Sequence, residues 1–501
     1  MIVNKEIIIS VAVGLVVLWT VIRSLQARAT YENYTGTQPS NYTSFTMILS
    51  IFASLNGGFM VIGLVQVGYE GGLSGYILGL AYLLGIPLLI VGIRKLAPER
   101  QKSFFGIDAL IFEKYGIVSL LSYYTITAIV FAGVLGGQFL SIIYFLKTVD
   151  EGWILTAAIL LGLIATFVYT WRSGFKGVVH NDKIQAMIEF SVCLIFPSII
   201  ILFLTSNTFY NLSEVFQNVI QETDSISGTY YHFYPWFACL FLVLSFLSRA
   251  DLWIRLKQVE AKQQKQVIIW SCILLFFFYF AMTTTGIIIK HNIDRFPLSE
   301  EFDIGALVLY LSSDNTLLSH IHIVPALVLQ IICLGGIAVA IFSSIDSYLQ
   351  ITSQSFAKVV LWKSIPKLNS NELTDDEKSI FLANARLITI AVGIFATIFA
   401  VWIPDIVDLA SVSFSIIGTL VPIILTGIFK KNKIDDWVGY VPIISSMLIL
   451  IIVIIIFPSY RKNAFIPSFV FGCLVFGILY FFSLKRNAYR NNRHDSSTDA
   501  R

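Results

Sequence analysis

Long apolar runs separated by short polar and basic stretches repeat from one end of the chain to the other. A helix needs roughly 20 apolar residues to cross a bilayer. Runs of that size predict about thirteen spans, at about 6–25, 46–69, 74–95, 117–146, 152–171, 184–205, 233–250, 266–290, 322–357, 384–403, 405–428, 437–458 and 464–484. The first run, "IIISVAVGLVVLWTVI", has no basic leader and no small-residue cleavage site, so it reads as a retained span.

Composition agrees with the pattern. Hydrophobic residues make up 56% and charged residues 13%, and the mean hydropathy is +0.78, values far from those of soluble domains. The expected class is an all-α polytopic membrane protein. The net charge of +3 is dispersed in short loops, which gives no reason to expect a nucleic acid partner. Cys193, Cys239, Cys272, Cys333 and Cys473 all lie in apolar segments without a CxxC spacing and read as small core residues.

The basic residues set an orientation through the positive-inside rule. With the N-terminus outside, the inner loops and the tail hold 28 of the 34 Lys and Arg, among them Arg249, Arg255, Lys257 and Lys358. The long outer loop at about 206–232 holds none. A wrong span count would scramble this alternation, so the pattern supports an N-out, C-in protein of the plasma (inner) membrane. The segment "KLNSNELTDDEK" and the tail "RNAYRNNRHDSSTDAR" then read as solvated inner pieces.

Two polar interruptions carry the chemistry. In "AVAIFSSIDSYLQ", residues 338–350, the ninth span holds Ser343, Ser344, Asp346 and Ser347. Ser343 falls roughly 21 Å from the inner end at 1.5 Å per residue, near mid-membrane, where an ionisable group is expensive and reads as functional. Serines that bond back to their own helix are the bland alternative. In the second span, Asn56, Gly57 and Gly58 interrupt an apolar run about 15 Å above the inner face. Such glycines permit unwinding and also serve close helix packing. Their common depth favours a shared site. Carbonyls freed by unwinding, together with serine hydroxyls, make a hard-oxygen cage suited to Na+ rather than to a transition metal.

At these residues the chain resembles the sodium/solute symporter family. "SLNGGFMVIGLVQVGYEGGLSG" is similar to the broken helix of that family and its exit, and "SFFGIDALIFEKYG" to its inner loop. "SGFKGVVHNDKIQAMIEF" is similar to its Gly-Gly-x-x-Ala-Val-x-x-Thr-Asp-x-x-Gln hallmark, with Ser173 for the first Gly and Asn181 for the Thr. "DLWIRLKQVEAKQQKQ" resembles an Asp-x-Trp-Gln-Arg segment with Ile254 in the Gln place, "AIFSSIDSYL" the ion motif, and "PIILTGIFKKNK" the end of the core. Six matches in order, each on the right side of the membrane, carry the resemblance.

The resemblance implies a LeuT-like core of two inverted five-helix repeats. The organisation is then a first helix and inner loop at 1–45, one repeat at 46–205, a second with its outer loops at 206–430, and two closing helices with a basic tail at 431–501. It implies a Na+ site formed by the carbonyls of Ala53, Asn56 and Ala340 with the hydroxyls of Ser343 and Ser344. It offers a second cation place at Asp182, Asp346 and Ser347 beside Ser343, although Asp182 equally suits a helix start. The matching substrate positions are Gly57, Gly58, Met60, Gln138, Trp253 and Ser415, with an interhelical hydrogen bond as the alternative for Gln138. It assigns no role to Glu189. Span 7 contains no glycine, so the unwinding that the family shows in its second repeat is not expected from this sequence.

The expected function is secondary transport: Na+-coupled symport of a small organic solute into the cell by alternating access, with no cofactor besides the coupling ion. A sensor on the same fold and an H+-coupled symporter are the alternatives. An enzyme is disfavoured, since none of the six histidines stands in an HExxH-like spacing. Pocket polarity ranks amino acids and small carboxylates first, then pantothenate-like or nucleobase-like molecules, then sugars.

Overall fold

A computed structural model describes Gly14, Ile22 and residues 30–36, 42–72, 75–95, 107–148, 153–206, 234–291, 323–361, 373–402, 409, 413, 416–430, 432–457 and 464–498. Every regular element among them is helical. In chain order they are α1 (Tyr31–Thr35), α2 (Ser44–Leu55), a π-helical turn (Phe59–Gly63), α3 (Leu64–Gly71), α4 (Gly75–Lys95), α5 (Ile107–Thr148), α6 (Trp153–Ser206) and α7 (Tyr234–Ser245). A 3-10 turn (Phe246–Ser248) leads to α8 (Ala250–Lys257), α9 (Ala261–His291), α10 (Ile323–Val360), α11 (Asp375–Trp402), α12 (Val421–Phe429), α13 (Asp436–Ile456) and α14 (Phe465–Thr498).

Six of these helices are long and apolar enough to cross a bilayer, and the bent pair 44–55 and 60–71 makes a seventh. That census covers the described residues alone, and the first expected span lies outside them apart from Gly14 and Ile22. Helices on the outside of the bundle turn their apolar faces outward. Leu387, Ile394 and Val401 on α11, Leu448 and Ile455 on α13, and Leu474 and Phe482 on α14 are all exposed. Large outward apolar surface of this kind suits a lipid surrounding.

Long helices turn corners at glycine. Gly116 in α5 (φ 79°) and Gly174 in α6 (φ 58°) stand in the left-handed region, which a Cβ disfavours. Each corner also admits a close neighbour: the carboxylate of Asp436 crowds Gly116 and the ring of Tyr34 crowds Gly174. Gly174 thus divides α6 into the fifth and sixth expected spans. It seats α1 beneath the bundle, where the Tyr34 carbonyl accepts from Gln350 (2.9 Å) and Gln354 (2.8 Å) of α10. This short docked helix falls within the stretch that the sequence reads as first helix and inner loop.

The core gathers on α10, which packs most extensively against α6 and α5. Its segment from Ile337 to Ser355 is buried on all sides. Close crossings elsewhere use small residues: Gly68 of α3 lies against the Thr283 carbonyl of α9, and Gly286 of α9 against the Val65 carbonyl of α3. Backbones approach this closely only where side chains are missing.

Two helices of the bundle are broken. The first is bent by 69° between residues 55 and 60. The second breaks between α7 and α8, where Arg249 is extended (φ −79°, ψ 101°) after the 3-10 turn. This corrects the expectation drawn from the missing glycine. The conformation of Arg249 is open to any L-residue, and the freed carbonyls find side-chain donors. Trp253 Nε1 donates to the Leu247 carbonyl at 3.0 Å, and the Tyr123 hydroxyl donates to the Ser248 carbonyl at 3.5 Å.

Candidate functional site

The first break starts from local chemistry. Thr43 caps α2 by accepting from Thr46 N (3.2 Å), and the helix runs through apolar residues until Asn56, whose φ of −97° and ψ of 84° end it. An intact helix would direct the Gly58 N–H to the Ser54 carbonyl. That N–H donates instead to Gln138 Oε1 of α5, at 2.6 Å. The Gly57 carbonyl starts the next segment by accepting from Met60 N at 2.8 Å.

Span 9 meets this break face to face. Ser343 Oγ lies 2.9 Å from the Ala340 carbonyl of its own helix, 3.2 Å from the Ala53 carbonyl and 3.5 Å from the Asn56 carbonyl. A Cβ added to Gly57 would fall 2.6 Å from Ser344 Oγ, so the second hydroxyl faces the break as well. Three of the five positions expected to form the cage therefore converge on a fourth, Ser343, and Ser344 stands beside them. All five are essentially inaccessible to solvent. Carbonyl and hydroxyl oxygens are hard donors of the kind alkali cations take.

A sixth oxygen was not expected there. Glu189 of α6 brings Oε1 to within 2.6 Å of Ser343 Oγ, and its Oε2 has no hydrogen-bond partner among the described residues. Ser344 Oγ and Asn56 Nδ2 are buried and unpartnered in the same way. Glu189 stands two helical turns after Asp182, on the same face. That seven-residue spacing was the available signal, but nothing in the sequence named the partner 154 positions away.

One turn toward the end of the bundle that carries Lys257 and Lys358 lies a second polar layer. Asp182 Oδ2 accepts from Arg255 (3.2 Å) and from the Ser50 hydroxyl. Arg255 also donates to Ser50 Oγ (2.9 Å), to Ser347 Oγ (2.9 Å) and to the Asp251 carbonyl (3.5 Å). Asp346 accepts from the Tyr169 hydroxyl. The three residues expected to form a second cation place thus share one layer, but a guanidinium already bridges two of them. The sequence places Arg249 and Arg255 in an inner loop without assigning them partners. Arg255 is 1% exposed in this layer, and Arg249 is paired with Asp251 (2.8 Å) inside the second break.

The expected substrate positions divide. Gly57, Gly58 and Gln138 meet at the first break. Met60 is buried there and its sulfur accepts from the Tyr82 hydroxyl at 3.5 Å. Trp253 is buried against Gly92 of α4, and its N–H is committed to Leu247. Ser415 lies outside the described residues.

Comparison with known proteins adds a lineage to this geometry. Residues 36–435 match the model of the sodium:solute symporter family. No curated protein sequence matches at a comparable level. Among solved structures, a Na+-coupled sialic acid symporter in a substrate-bound outward-open state is similar with a TM-score of 0.69 and 18% identity, over 95% of this chain and 98% of that one. MhsT in complex with L-phenylalanine gives a TM-score of 0.47 at 13% identity, over 89% and 99% of the two chains. Mhp1, a nucleobase-cation-symport-1 family transporter with bromovinylhydantoin bound in a closed conformation, gives 0.44 at 12%, over 91% and 96%. The first likeness gives the chain its LeuT-like fold.

Proposed function

Since the chain belongs to the sodium:solute symporter family, we propose that it couples the inward movement of Na+ to that of a small organic solute, by alternating access. The observation that carries this reading is the convergence of the Ala53, Asn56 and Ala340 carbonyls on Ser343, beside Ser344. Na+ bound among them joins the broken helix to span 9. If it favours the outward-facing state, it raises solute affinity by the factor with which solute raises Na+ affinity. Each inward Na+ also gains about 2.3 kcal/mol per 100 mV, enough to concentrate a solute about fiftyfold at 1.4 kcal/mol per decade.

In this reading the protein is an integral protein of the plasma membrane with the N-terminus outside. Residues 46–205 and 206–430 form the two repeats that move around the site. The solute binds beside the first break, where Gln138 accepts from the Gly58 N–H. A carboxylate or carbonyl oxygen can take the place of that amide, which keeps amino acids and small carboxylates first in order. At the second cation place the positive charge is supplied by Arg255, so one Na+ per cycle is proposed.

The test is the melting temperature of purified protein in Na+, K+ and choline at fixed ionic strength, for wild type and for Ser343→Ala with Ser344→Ala. Na+ alone is expected to raise the wild-type value, and the double variant to lose the shift. Equal behaviour in all three cations would sink the reading.

A further inference from the structure

We propose that Glu189 is an anionic ligand of the cation held in the cage, so that the site carries a full negative charge rather than carbonyl and hydroxyl dipoles alone. This rests on the cation reading given above and deepens it.

Geometry comes first. Glu189 reaches Ser343 from α6, a third element beside the broken helix and α10, and its Oε1 lies 2.6 Å from the same hydroxyl on which the three carbonyls converge. Any cation coordinated by that hydroxyl is a near neighbour of the carboxyl group. Its other oxygen, Oε2, is buried with no partner among the described residues, as is Ser344 Oγ. A carboxylate withdrawn from water is costly unless a counter-charge or hydrogen bonds meet it. The guanidinium of the adjoining polar layer, Arg255, is engaged with Asp182, Ser50 and Ser347. A cation in the cage would supply that counter-charge.

Chemistry agrees. Five neutral oxygens bind an alkali ion through dipoles alone, and a carboxylate adds a Coulomb attraction that a buried site screens weakly. The added charge favours a cation over any neutral occupant of the same volume, water included. It also locates the ion against α6, so that binding draws together three elements from both repeats.

The experiment uses full-length purified protein with Na+ as the probe. Na+-dependent melting and 22Na+ binding are measured for wild type, Glu189→Gln and Glu189→Asp. Gln keeps the size and the contact with Ser343 but removes the charge. Its half-saturating Na+ concentration is expected to rise about ten- to a hundredfold, the factor carried by one charge-assisted contact, while the melting temperature in choline stays near wild type. Asp keeps the charge on a shorter arm, and should weaken Na+ binding less than Gln and alter the Na+/Li+ preference. Glu189→Gln with wild-type Na+ affinity overturns the proposal and leaves the cage reading standing. Should Gln fail to fold, Asp decides: an unchanged affinity and an unchanged Na+/Li+ ratio mark a purely structural carboxyl. A wild type indifferent to Na+ removes the cage reading itself.

Discussion

At Gly57 an added methyl carbon would lie 2.6 Å from both polar atoms of the Gln138 amide and from Ser344 Oγ. The glycine pair therefore both unwinds the helix and lets spans 4 and 9 press against it, so the two roles weighed from the sequence coexist. Gly57→Ala is expected to cost about 1–3 kcal/mol through overpacking and to abolish the Na+-dependent melting shift. Gly137→Ala is the control, because nothing among the described residues lies within 4 Å of a Cβ there. Residues such as Asn56 and Ser343 were legible in the sequence because polar groups stand out in an apolar run. Glu189 was visible but carried no assignment, since its meaning depends on a hydroxyl from a helix far along the chain. The partners of Arg255 were illegible for a related reason: charge counting assigns a basic residue to one side of the membrane and says nothing of what it touches.

The two helix breaks obey different local rules. The first relies on glycine for close approach. The second needs no glycine, because Arg249 adopts an ordinary extended conformation and Trp253 and Tyr123 donate to the loosened carbonyls. Glycine content could therefore reveal the first break and was silent about the second. The indole N–H is the better placed of the two donors, at 3.0 Å. Trp253→Phe removes the outer indole carbons that rest on Gly92 and strands the Leu247 carbonyl, the latter a loss of about 1–3 kcal/mol for a buried acceptor. Melting in detergent should register it, and Trp253→Phe with Tyr123→Phe should cost more than either alone. Helix α1 illustrates another limit of reading along the chain. Its five residues carry no span signal, and their position follows from Gln350 and Gln354 donating to the Tyr34 carbonyl.

Across the molecule, apolar runs and polar interruptions were enough to indicate a helical membrane transporter, whereas the charges that hold its basic end together emerge only from the fold. Asp108, at the start of α5, accepts from Lys358 at the end of α10 (3.1 Å) and from the Tyr124 hydroxyl (2.8 Å), with all three groups buried. Breaking a buried ion pair from one side costs about 3–5 kcal/mol, while replacing both partners is far milder. Asp108→Asn should accordingly lower the melting temperature strongly, and Asp108→Asn with Lys358→Met should recover most of it. Arg255 has a wider reach, since one guanidinium touches residues of α2, α6, α8 and α10. Prising away any single helix leaves a buried carboxylate or guanidinium short of partners and of water alike. Separating all of them together floods the layer and solvates every group at once. Partly separated arrangements of these helices are thus the expensive ones, and a single side chain makes the layer behave as either wholly closed or wholly parted.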